Sequence, residues 1–373
     1  MRPLLSIEAL KLPFKERVGE VMKLKGFFAI MIAVVMFLFV FSLIFQTTPA
    51  LGAKKVYRMK IQSAYPRGDL SMELLKEFAA DAAKRSNGRI KISVFAEPEL
   101  VPAEQLFEAT QKGTLDMLHA VAAMWGGIVP VGEVEFGLPY AYHIPGELPI
   151  NKSSDIVRNF FYRSGFVDLL RKEYGKHGLY WLDMHSYGML FTLSRKCVVS
   201  CNDLKGLKVR AEGSWAEYYD MLGARGTFIP GADAYMGLKL GTIDASQWDV
   251  SAIVGLKWHE VAPYWLLGGQ NDVVPGQILM NMKTWKSLPD NLKAAMKGAA
   301  EEYYYKLLKV YLGEMKKVEE LVKKGKVIKC RLDKECEKKY EEAAYKLWDK
   351  IAHRAAAAAK AIEMIKEWRR TLK

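Results

Sequence analysis

The pattern that most restricts this chain is an alternation of strand and helix signals, run through twice in the same order. Val56 to Ser63 carries Tyr57, Met59 and Ile61 on one parity, the period of a strand. Ser71 to Arg85 places Leu75, Phe78, Ala79 and Ala82 at helical spacing, and Asn87-Gly88 supplies the stop. Ile90, Ile92 and Val94 alternate again, Pro102 opens a helix that ends at Gly113, and Leu115 to Val121 reads as a third strand. The order recurs in Leu207 to Ala211 (strand), Ser214 to Leu222 (helix), Thr227 to Ile229 (strand), Ala232 to Leu240 (helix) and Ile243 to Trp248 (strand). Gly113-Thr114-Leu115-Asp116 and Gly241-Thr242-Ile243-Asp244 occupy the same helix-to-strand junction in the two halves. Strands separated by helices run parallel, joined by right-handed crossovers, so both halves are expected to be α/β.

The N-terminus sets the compartment. Lys23 and Lys25 precede an unbroken apolar run from Gly26 to Phe45, followed by small residues up to Ala53. A basic flank, an apolar stretch and small residues make a secretory signal, and the run is also long enough for an uncleaved membrane anchor. Either way the rest is expected outside the cytoplasm. Two similar α/β lobes beyond such a segment describe a hinged, two-lobed fold like that of periplasmic binding proteins, with long C-terminal helices. The expected division is 1–53 as cytoplasmic flank and signal peptide or anchor, 54–180 mainly the first lobe, 181–289 mainly the second lobe with crossing strands, and 290–373 as helices that brace the lobes or pair protomers. Cys197 with Cys201 and Cys330 with Cys336 form two local pairs that suit short-loop disulfides in an oxidising compartment; unpaired structural thiols are the alternative.

The net charge of +13 invites a nucleic-acid reading. The basic residues of the C-terminal region are mixed with acidic ones at helical spacing, and no nucleic-acid motif accompanies them, so a solvated helical face is expected and no nucleic-acid partner. Catalytic signatures are missing too: there is no G-x-S-x-G, P-loop, G-x-G-x-x-G or H-E-x-x-H, and the six histidines lack ligand spacing. The chain is therefore expected not to be an enzyme.

Open α/β sheets bind ligands at the carboxyl ends of strands. Arg210 ends the element Asp203-Leu-Lys-Gly-Leu-Lys-Val-Arg210, Trp248 ends the strand after the second Gly-Thr-x-Asp, and Trp125 follows the corresponding strand of the first half. A guanidinium there matches a carboxylate through two parallel hydrogen bonds, while an aromatic from each lobe sandwiches the solute. On spacing alone the bland assignments come first: a solvated strand-end arginine and two core tryptophans.

Arg89 to Val121 with Glu97-Pro98-Glu99-Leu100-Val101-Pro102, Asp203 to Arg210, Gly241 to Trp248, and Trp285-Lys-Ser-Leu-Pro289 together resemble the substrate-binding subunit of tripartite ATP-independent periplasmic (TRAP) transporters, DctP type. Ser246-Gln247-Trp248 and Ala123-Met124-Trp125-Gly126-Gly127 resemble its 2-oxo-acid and hydroxy-acid branch. The resemblance implies that Arg210 binds the carboxylate of a small solute, that Trp248 lies against it, and that a membrane permease is the partner. Trp125 and Gln247, with Tyr65, Tyr140 and Tyr187 as hydroxyl donors, complete the expected site. In that branch a glutamate before the tryptophan helps hold a metal ion, sodium or calcium; here that position is Gln247, a poorer ligand for a hard cation, with Asp272 as the acid that could compensate. Met189 falls about where the branch has a second polar metal contact. A homodimer through Lys334 to Arg370 is also implied. The alternatives are the binding protein of an ATP-driven (ABC) importer and, further off, an exported hydrolase.

Overall fold

A computed structural model describes residues 13–46, 55–142, 150–268 and 273–372. The chain divides into two units, one up to Lys55 and one from Val56 onward.

The first unit contains a 33-residue helix, Phe14–Gln46, about 50 Å long at 1.5 Å per residue. Its Met22–Phe41 stretch, 20 residues of mean hydropathy 2.6, is the one helix among the described residues long and apolar enough to cross a membrane. Upstream of the apolar run the helix contains Lys, Glu, Arg and Met, which are good helix formers.

The second unit holds two sheets. The strands are β1 (Tyr57–Ser63), β2 (Ile90–Phe95), β3 (Met117–Ala120), β4 (Leu179–Met189), β5 (Phe191–Ser194), β6 (Lys208–Arg210), β7 (Arg225–Thr227), β8 (Ala245–Trp248), β9 (Tyr264–Leu267), β10 (Val273–Asn281) and β11 (Ile328–Arg331). One sheet runs β2-β1-β3-β10-β4 and the other β11-β9-β5-β8-β6-β7. Within each, a three-stranded parallel set carries the expected βαβαβ order: β2-β1-β3 and β7-β6-β8.

The repeated Gly-Thr-x-Asp has the same physical role in both halves. Gly113 and Gly241 end their helices in the left-handed region, at φ 83° and 79°. Asp116 accepts from the Lys60 N–H at 2.8 Å while its own N–H donates to the Lys60 carbonyl. Asp244 does the same with Lys208, at 3.0 Å. Each motif thus fastens the start of one strand to the backbone of its neighbour.

The chain crosses between the sheets at Leu190, which separates β4 from β5, returns between β9 and β10, and crosses once more between β10 and β11. A 34-residue helix, Asp290–Lys323, touches both sides. Its Tyr303 hydroxyl donates to the Ser71 carbonyl beside the first sheet, and its Tyr311 hydroxyl donates to Asp249 just past β8.

Three expectations are corrected. The strand placed at Thr227 to Ile229 is Arg225–Thr227: it pairs with Lys208–Arg210, and the Ile229 carbonyl is taken by the Arg210 side chain instead. The single helix Lys334 to Arg370 is two, Lys334–Ala352 and Ala356–Thr371, parted at extended Ala355. Their apolar residues, Tyr340, Leu347, Trp348, Ile362 and Ile365 among them, are buried within this chain. The cysteines pair across the sequence, Cys197 with Cys330 and Cys201 with Cys336, at Cα separations of 5.6 and 5.2 Å. Nearness in sequence misled because β11 lies beside β9, bringing the 330–336 stretch to the 197–201 loop.

Because both bridges join the same two stretches, either alone closes a loop of more than 130 residues. Removing one pair, as in Cys201→Ser/Cys336→Ser, should therefore cost only the small inner loop, about 2–3 kcal/mol, and removing both should cost more than twice that. Denaturant unfolding of the single-pair and double-pair variants checks this; equal losses would contradict it.

Candidate functional site

The sheets meet around a small cavity of about 30 Å³, room for two or three water-sized groups. Tyr65, Tyr187, Arg210, Glu212, Gln247, Trp248 and Asp249 form its polar and aromatic wall, and Val121, Phe136, Leu190 and Val274 its apolar wall. Leu190 stands at the β4–β5 crossing and Val274 at the start of β10, just after the second crossing, so the cavity lies where one lobe turns against the other.

Arg210, the last residue of β6, is only 2% exposed. Its Nε donates to the Ile229 carbonyl at 3.0 Å, Nη1 to the Gln247 carbonyl at 3.2 Å, and Nη2 to Glu212 Oε1. The guanidinium carbon lies 4.7 Å from the centre of the Trp248 ring, a cation–π geometry. Trp248 is fixed in turn by its indole N–H, which donates to Asp69 Oδ2 at 3.0 Å from the other lobe. Tyr65 and Tyr187 stand edge to face, ring centres 5.3 Å apart, and Tyr65 packs on Trp248 at 5.6 Å.

Several polar atoms that face this region are buried and lack a well-formed hydrogen bond: the Tyr65 and Tyr187 hydroxyls, Glu212 Oε2 and Gln247 Nε2. Such atoms are rare in a folded interior and concentrate where a ligand binds.

Sequence reasoning named Tyr65, Tyr187, Arg210, Gln247 and Trp248, and all five line the cavity. Trp125 and Tyr140 do not. Trp125 packs on Phe107, its indole donating to the Tyr174 hydroxyl at 3.3 Å; the Tyr140 hydroxyl donates toward the Glu337 carbonyl at 3.5 Å. Asp272, the acid that could compensate for Gln247 at a metal, lies outside the described residues, and Met189 is not part of the cavity wall.

Sequence reasoning missed Glu212. The signal was present: residues two apart in extended chain project to the same side, so a glutamate two places after a strand-end arginine shares its space. It also missed that His119 and His185 stack 4.3 Å apart behind the tyrosines. Burial holds both rings well below the usual histidine range, His119 at about 3, so they are neutral.

Electrostatics in the wall are dominated by desolvation. Burial, followed by the nearby Asp69, pushes Asp249 up to about 8, so it keeps its proton at neutral pH. Burial also lifts Glu97, beside the site, to about 7, with Arg210 opposing. Among the described residues no three His, Cys, Asp or Glu side chains converge as a metal cluster. Gln247 and Glu212, the latter already paired with Arg210, fall short of the oxygen shell of a hard divalent cation.

Two α/β lobes, a chain that crosses between them three times, and a buried cation-bearing cavity beside two of the crossings define a two-lobed solute-binding protein. Residues 62–355 match the family model of bacterial extracellular solute-binding proteins, family 7 (DctP), and the chain belongs to that family. It is 27% identical over 262 residues to a monocarboxylate 2-oxoacid-binding periplasmic protein of Nostoc, covering 68% of each chain. Among solved structures, a TRAP periplasmic solute-binding protein of Pseudoalteromonas atlantica with bound sodium and pyruvate superimposes with a TM-score of 0.77 at 23% identity, over 85% of this chain and 95% of that one. A TRAP solute-binding protein of Bordetella bronchiseptica, with copurified calcium and picolinate, gives 0.76 at 23% over 85% and 93%. Sodium or calcium accompanies the ligand in those neighbours, and no obligate cofactor follows for this chain.

The raised carboxyl of Asp249 has a consequence for stability. Between its ordinary value of 3.8 and about 8 the folded chain holds a proton that the unfolded chain releases. This contribution is therefore fully present below pH 4 and is lost as pH rises through 8. Asp249→Asn should flatten the fall in stability between pH 5 and pH 8, measured by denaturant unfolding at each pH; an unchanged slope would place the proton elsewhere.

Proposed function

We propose that this chain captures a small carboxylate solute outside the cytoplasm and presents it to a TRAP-type membrane permease, binding its ligand without chemically changing it. The observation that carries this reading is Arg210. A guanidinium has five N–H donors, and three are spent on Ile229, Gln247 and Glu212. The remainder belong to a cation buried beside a cavity whose other walls are aromatic or aliphatic. A carboxylate accepts two parallel hydrogen bonds from such a group.

In this reading Trp248 and Tyr65 pack on the body of the solute, and the Tyr187 hydroxyl and Gln247 amide complete its hydrogen bonds. Trp248 also reaches Asp69 across the lobes, so a solute resting on Trp248 favours the closed arrangement that a permease would recognise. The Nostoc relative, named for monocarboxylate 2-oxoacids, supports the carboxylate class. The family's extracellular description and the apolar Met22–Phe41 helix support export, with that helix as signal or anchor.

Arg210→Ala should weaken solute binding by about 3–5 kcal/mol, because the carboxylate would be buried without its partner, which is at least a hundredfold in Kd. Arg210→Lys, which keeps the charge and loses the fork, should fall between. Isothermal calorimetry against small organic acids measures both; Arg210→Ala binding within threefold of wild type would defeat the reading.

A further inference from the structure

The charges around Arg210 point to a narrower class of solute. Arg210 is the only cation in the described cavity wall, and Glu212 already pairs with it. That pair is neutral, so a bare organic anion would enter with an uncompensated negative charge. Glu97, 6% exposed and with its Oε2 lacking a partner, stands within electrostatic reach of both Arg210 and Glu212. The surroundings therefore offer no positive charge beyond the one that Glu212 already neutralises, and they offer unpartnered acceptors as well.

The orphaned atoms sort in the same way. Two unspent Arg210 N–H groups and Gln247 Nε2 are donors. Glu212 Oε2 is an acceptor with no partner, and the Tyr65 and Tyr187 oxygens can accept as well. Donors for a carboxylate and acceptors for a three-donor ammonium line the same small cavity. We propose that the solute is a small 2-amino acid in its zwitterionic form, its carboxylate on Arg210 and its ammonium on Glu212 Oε2, which makes Glu212 the residue that selects it over the matching 2-oxo acid. This rests on the assignment of Arg210 as the carboxylate anchor.

The test uses the full-length protein in detergent, unfolded and refolded to strip any bound solute. Titration of L-alanine, pyruvate, L-lactate and isopropylamine is read by tryptophan fluorescence and calorimetry, with and without added sodium and calcium. L-alanine should bind at least tenfold tighter than pyruvate or L-lactate. Glu212→Gln keeps an acceptor for Arg210 and removes the charge, so it should weaken L-alanine at least tenfold and tighten pyruvate. Wild-type preference for pyruvate or L-lactate, in any salt, overturns the zwitterion and leaves the Arg210 anchor standing. Isopropylamine binding as tightly as L-alanine, unaffected by Arg210→Ala, overturns the carboxylate anchor and the zwitterion with it. Wild-type protein that binds none of the four overturns both.

Discussion

A guanidinium taken almost completely out of water has to be given acceptors in a fixed arrangement, and much of the cleft can be understood as the means of doing so. Arg210 draws one carbonyl from the chain after β7, one from β8 and a carboxylate from its own segment. These partners tie three pieces of the second sheet to a single point, and the Trp248 ring covers the face of the fork. Trp248 then reaches across to Asp69, whose other carboxylate oxygen caps the Leu70–Arg85 helix by accepting from the Ser71 and Met72 N–H groups. A charge in one lobe is thus connected, through an indole and a helix N-terminus, to the backbone of the other.

The same connection continues into the long helix. Tyr311 donates to Asp249 immediately after Trp248, and Tyr303 holds both the Ser71 carbonyl and His119. One rigid element therefore registers the positions of both lobes, two turns apart on a single helix face. The stacked, neutral His119 and His185 fill the space behind Tyr65 and Tyr187, so the tyrosine wall rests on uncharged aromatic packing.

How much was legible beforehand depended on whether the determining contact was local. Gly113 and Gly241 end helices through their own backbone freedom, and Asp116 and Asp244 bond to adjacent strands, so a four-residue repeat carried its meaning without the fold. Arg210 and Trp248 were legible as strand ends. Trp125 follows the strand that corresponds to β8, but the position matching Trp248 is Ala120; Trp125 packs on Phe107, and its N–H is taken by Tyr174. The strand order around β9, β10 and β11 was not legible, since its hydrogen bonds join segments tens of residues apart. The cysteine pairing went with it. The C-terminal helix looked continuous because its alanine run favours helix everywhere. Its break follows Arg354, which is drawn to Glu217 and Glu133 on the body of the protein.

The position of β11 has a consequence for the order in which the fold can be completed. β9 presents one side to β5 and the other to β11, and β11 comes from residues 328–331. A polypeptide emerging from its amino end has every other strand of that sheet available while β9 still carries an open row of amide and carbonyl groups, the kind of margin on which chains stick to one another. Only the last stretch of synthesis closes that margin and brings the distal sulfur atoms within reach of their mates. A product cut short before residue 328 would retain Arg210 and the full cavity wall, yet would be left with an unprotected border and an unfastened tail.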